Sequence, residues 1–181
     1  MRTRTLKIPL RTSQVAAAIV LCIASMSSAV AACNPVAPAL LDFFLSGRRL
    51  SDEIHGQLIQ SAGQRNSTEE KLKSLSDLDH ALSILNADVW GLYWVSLYSR
   101  RLHEVLDQLD SKPPGPVSQY YNRWDATQLD NATTPVIRES GAVGALLART
   151  SVLSPELSEK LHQHLGRIDA ELRGCIPEVR P

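Results

Sequence analysis

The chain has 181 residues, with 19 basic and 19 acidic side chains and no net charge at pH 7. That length suits one ordinary domain with its own core. Balanced charge argues against nucleic acid as the main partner, because neutralising phosphates takes clustered Lys and Arg.

The chain opens on Arg2, Arg4, Lys7 and Arg11 with no acid before Gln14. Val15 to Met26 is apolar, and Ser27 to Ala32 is a string of small and apolar residues. Basic, apolar and small-residue regions in that order predict a signal peptide over 1–31, leaving 32–181 as a single all-α helical domain. The expected location is therefore outside the cytosol, in the periplasm or extracellular space. Without the leader, 15 basic residues face 19 acidic ones, a net charge near −4. No later transmembrane span is expected, because Val89 to Tyr98 is only ten residues long and a crossing helix takes about 20.

Cys33 and Cys175 remain at the two ends, and an oxidising compartment favours a disulfide between them. Val30-Ala31-Ala32-Cys33 also resembles a bacterial lipobox, with Val30 where Leu is usual; the resemblance implies lipidation of Cys33 and membrane anchoring by that route alone. Both readings stay open on the residues. Asn66-Ser67-Thr68 and Asn131-Ala132-Thr133 fit the N-glycosylation pattern, but the Ala-rich, Arg-led leader has a bacterial look, which makes both chance matches.

Helical spacing begins after Pro38. Leu40, Leu41, Phe43, Phe44, Leu50, Ile54 and Leu58 recur at helical steps, mostly three or four. Arg48 with Asp52 and Arg49 with Glu53 are spaced to pair along the exposed face. Gly63 and Gln64-Arg65-Asn66 end this helix. Ser67 and Glu70 have capping-box spacing and open the next. Leu72, Leu75, Leu78, Leu82, Leu85 and Val89 form one stripe. Val95, Tyr98, Leu102, Val105 and Leu109 form another, nearly half a turn away. A straight helix would not bury both on one face, so either the chain breaks at Asn86-Ala87-Asp88, with Asp88 as the new N-cap, or one long helix is sandwiched between different partners; the break is the favoured expectation.

The proline-rich stretch Ser111 to Pro116 stops the helix. Val117 to Thr127 reads as a short helix and Asp130 to Thr134 as a loop. Pro135 then starts a helix to about Arg149, in which Gly141 and Gly144 allow close approach of a neighbour. Ser154 caps the last helix and Pro155 begins it, with Leu157, Leu161, Leu165, Ile168 and Leu172 inward. Arg173 and Gly174 suit its end. The expected architecture is an all-α bundle of about five helices, four long and one short.

Chemistry is sparse. His55, His80 and His103 are isolated, and His162 and His164 point to opposite sides of a helix. Asp77, Asp79 and His80 are better read as a solvated cluster than as a metal site. No His-Glu-x-x-His, Cys-x-x-Cys, nucleophile elbow or phosphate loop occurs. Neither a cofactor nor a metal is expected. The aromatic residues are the feature that invites a functional reading. Trp90, Tyr93, Trp94 and Tyr98 form one group and Tyr120, Tyr121 and Trp124 a second, together seven of nine aromatic residues. They suit either core packing or a surface that binds another protein.

The leading expectation is a small exported protein acting by protein–protein binding, with an immunity, inhibitor or secretion-accessory role as its narrower forms. One alternative is an exported cofactor-independent enzyme drawing on Arg48, Arg49, Arg100, Arg101 and Glu104, similar at the level of fold class to the small exported chorismate mutases. The other is a lipid-anchored envelope structural lipoprotein.

Overall fold

The computed structural model describes residues 37–109 and 116–173. The predicted signal peptide, Cys33, Cys175, Gly174 and the stop at 111–115 lie outside the described residues. All described elements are helices: α1 (Ala37–Ala62), α2 (Glu69–Leu109), α3 (Pro116–Leu147) and α4 (Pro155–Leu172). The chain is an all-α bundle, as its periodicity implies. Neighbours run α1–α2–α3–α4 and back to α1. Phe44 meets Trp90, Ser99 bonds Asp125, and Lys160 pairs with Glu53. Ser51 also bonds Asp79 and Asp42 meets Arg167, so α1 runs antiparallel to both α2 and α4, as in an up-down-up-down bundle. Leu40, Ile54, Leu75, Leu78, Leu82, Leu85, Val136, Leu161 and Ile168 are fully buried between the four helices.

α2 does not break at Asn86–Asp88. Its inward residues are Leu75, Leu78, Leu82, Leu85, Val89, Leu92, Ser96, Ser99 and Leu106, all buried. With His103 they follow alternating steps of three and four, a continuous heptad seam. The seam is hard to see in the sequence because serines and a histidine occupy three of its positions. Val95, Tyr98, Leu102 and Val105 lie off it, and Tyr98 and Val105 are 58% and 51% exposed. The side chain of Leu109 lies outside the described ones. Asp88 caps nothing. It turns toward α3, where burial, and then the Glu139 carboxylate, push its carboxyl above the usual range.

The short fifth helix does not stand alone either. Val117–Thr127, the expected loop at 130–134 and the segment after Pro135 merge into α3, with Pro135 inside it. Leu129, Thr133, Val136, Val143 and Leu147 carry one buried stripe through the proline. That burial outweighs the lost donor and the ring's clash with the preceding turn, about 3 kcal/mol for an interior proline. Replacing Pro135 with Ala is expected to stabilise the fold by about 1–3 kcal/mol, read as a higher urea midpoint. An unchanged or lower midpoint would show that the helix is shaped around the ring.

Two local expectations also shift. Thr68, not Ser67, caps α2: Thr68 Oγ1 accepts from Lys71 N at 3.3 Å, while Ser67 Oγ donates to the Ser61 carbonyl. Arg48–Asp52 and Arg49–Glu53 do not pair, and Glu53 reaches Lys160 on α4 at 3.1 Å. Ser154 caps α4 as expected, accepting from Leu157 N at 3.3 Å.

Candidate functional site

Helix lengths set up the exposed features. At 1.5 Å per residue α2 is about 60 Å long, against about 39 Å for α1 and about 27 Å for α4. Phe44 lies beside Trp90 and Asp42 beside Arg167. Counting back along antiparallel helices, Ala37 and Leu172 draw level with about residue 97 of α2. Beyond that level, among the described residues, α2 and α3 have only each other. They form a two-helix arm on the end of a four-helix body.

The arm reverses the usual polarity. Inside it lie Ser99 and Asp125, and just below it on the same seam Ser96 and Thr133, each at most 3% exposed. Leu106 and Leu129 are the apolar residues buried beside them. Ser99 Oγ donates to Asp125 Oδ2 at 2.6 Å, and His103 Nδ1 lies 2.9 Å from the Ser99 carbonyl and 3.7 Å from Asp125 Oδ2. Ser96 Oγ and Thr133 Oγ1 have no hydrogen-bond partner among the described residues. The outside, by contrast, is aromatic. Tyr98, Val105, Tyr120, Tyr121 and Trp124 are all exposed.

The seven aromatic residues singled out in the sequence divide between two places. Trp90 stacks on Tyr93 and meets Phe44 of α1 at a tilt, and Trp94 meets both Trp90 and Tyr93 edge to face, at centroid distances of 4.6–5.4 Å. Trp90 and Tyr93 are half-buried there, and Trp94 is exposed. Tyr98 and Trp124 meet edge to face across the arm at 6.1 Å, and Tyr120 meets Tyr121 at 5.4 Å. Part of the first group thus serves packing, while the arm group faces outward.

Below the first group runs a groove of about 520 Å³ between α1 and α2. Phe44 and Trp90 close one end; Arg48, Ser51, Asp52 and His55 line the α1 side, and Asp79, Ser83, Asn86 and Ala87 the α2 side. Asp79 accepts from Ser51 at 2.9 Å and lies 3.2 Å from His55 Nδ1. Asp79 is thus a tether between helices, and Asp77 and His80 are exposed nearby. Among the described residues no group of three His, Cys, Asp or Glu is placed to hold a metal ion. Arg100 and Arg101 both pair with Glu104 on the open surface, at 3.4 and 3.1 Å, and converge on no cavity.

Sequence reasoning missed a polar node in the body. A Cβ at Gly47 would overlap Asn86 Oδ1 and lie 3.2 Å from His164 Nε2. Only glycine lets α1 approach this closely. Gly144, by contrast, sits in ordinary contact with Leu165, and Gly141 faces open space. His162 is exposed and His164 buried, as their spacing requires. Ser46 Oγ lies 3.2 Å from His164 Nδ1 and 2.8 Å from the Asp42 carbonyl, to which it donates. Its oxygen is thus left to accept from Nδ1–H, so the neutral ring turns a bare lone pair at Nε2 into the core. Burial, and then Arg167, lower the ring's pKa to about 4.

Comparison with protein-family models, curated proteins and solved structures finds no match. The reading of function therefore rests on the chemistry of the arm, the groove and the body.

Proposed function

We propose that this is an exported helical protein, at work in the periplasm or outside the cell, that acts by docking another protein on the aromatic side of its arm. What supports the reading is the reversed polarity of the arm. A hydrogen-bonded Ser99–Asp125 pair is buried between the two helices of the arm, while five large residues, four of them aromatic, are exposed on it. Contiguous exposed apolar surface marks interaction sites on otherwise polar proteins, and Trp and Tyr dominate binding hot spots. The leader supports the location. An immunity, inhibitor or secretion-accessory role is the narrower form of the same proposal. Among the described residues no helix is long and apolar enough to cross a membrane.

The test is affinity capture from envelope extract with the wild-type chain and with Tyr98→Ala/Trp124→Ala. Both changes are at exposed positions, which leaves the body intact. A stoichiometric partner retained by the first and lost by the second is the expected result. Equal retention by both, or no stoichiometric partner, would overturn the proposal.

A further inference from the structure

The groove between α1 and α2 lies on the four-helix body, outside the arm, and its chemistry is of a different kind. Phe44, Arg48 and Asp52 stand at successive steps of four along α1, so they share one face. That face presents an aromatic ring, a cation and an anion in order. Arg48 and Asp52 are ideally spaced to neutralise each other, yet neither forms an ion pair or hydrogen bond among the described residues. The remaining charges in the groove are already engaged, since Asp79 is held by Ser51 and His55. The α2 wall supplies the Trp90 ring, 4.6 Å from that of Phe44. The floor is Asn86, 3% exposed, whose amide oxygen lies against Gly47. A volume of about 520 Å³ falls in the range of small-molecule sites.

We infer that this groove binds a small aromatic zwitterion, of the class of a free aromatic amino acid. The carboxylate goes to the Arg48 guanidinium, the ammonium to the Asp52 carboxylate, and the ring packs against the Phe44–Trp90 pair that closes the end of the groove. A lone carboxylate leaves Asp52 unmatched, and a lone ammonium leaves Arg48 unmatched. Selectivity for the zwitterion follows from the two free charges of opposite sign.

The test uses L-phenylalanine, 3-phenylpropionate (the carboxylate alone) and phenethylamine (the ammonium alone). Each is titrated into the full chain and followed by amide NMR shifts and calorimetry. Saturable shifts at Ser83, Asn86 and Ala87, with phenylalanine the tightest of the three, are expected. Arg48→Gln and Asp52→Asn should each weaken phenylalanine by about tenfold, the scale of one charge-assisted hydrogen bond. Both residues are exposed, so neither change threatens the fold. Tyr98→Ala/Trp124→Ala should leave this binding unchanged, which separates it from docking at the arm. No saturable shift with phenylalanine, equal affinity for the three probes, or indifference to both charge variants would overturn the inference.

Discussion

Acidification from pH 7 to about pH 4 is expected to cost the fold about 3 kcal/mol through His164 alone, by linkage from its lowered pKa. In the unfolded chain this histidine titrates at its ordinary value near 6.5; in the folded chain it does so near 4. Between those values the unfolded chain takes up a proton that the folded chain refuses. The contribution is therefore complete above about pH 6.5 and is lost as pH falls toward 4. The geometry gives the cause. The ring is 4% exposed, its Nδ1 is committed to Ser46, and its Nε2 faces the crowded Gly47–Asn86 contact. Asp42, the carboxylate that would favour a charged ring, is itself bound to Arg167. Carboxylates elsewhere also titrate in this range, so the comparison with His164→Leu isolates the effect. The gap between urea midpoints at pH 7 and 4.5 should be larger in the wild type than in the variant. An equal gap in both would remove His164 as the cause.

The second large effect is expected in the arm. Asp125 is 3% exposed, and its carboxylate takes a 2.6 Å hydrogen bond from Ser99. Ser99→Ala would leave a buried charge with only His103 nearby, at 3.7 Å, and should destabilise by about 3 kcal/mol. Adding Asp125→Leu removes the demand for a partner. The double variant should recover most of the loss, because an apolar pair can replace a buried polar one at little cost. A double-mutant cycle in urea reads the coupling directly. Additive losses would show that the hydroxyl and the carboxylate do not act together. Recovery of stability would also separate two roles of the seam. It holds α2 to α3, and it fixes the register in which Tyr98 and Trp124 meet.

α1 and α4 were legible because each buries one uninterrupted apolar stripe, and α4 carries a serine cap followed by proline. The course of α2 was not, for a physical reason. Its heptad passes through Asn86, Ser96, Ser99 and His103, or beside them, so hydrophobicity alone loses the seam at the start of the arm. A stronger apolar pattern, Val95 to Val105, then suggests a break where none exists. The same misreading hid the candidate surface. In the stripe that suggests a second inward face, Val95 packs against the core while Tyr98 and Val105 are exposed. Pro135 misled in the opposite way, since local backbone cost is a weaker influence than the buried contacts of Leu129, Thr133 and Val136 on either side. The node at Gly47 left no trace, because only the packed helices bring Asn86 and His164 to one glycine.

The proposed docking face is the aromatic side of the arm. Site-specific photo-crosslinking tests it most directly, with a benzophenone side chain at Tyr120 or, on the exposed side of α4, at Gln163. In cells making the full chain, one discrete adduct with another protein is expected from position 120 and none from position 163. Adducts from position 163 with none from position 120 would contradict it.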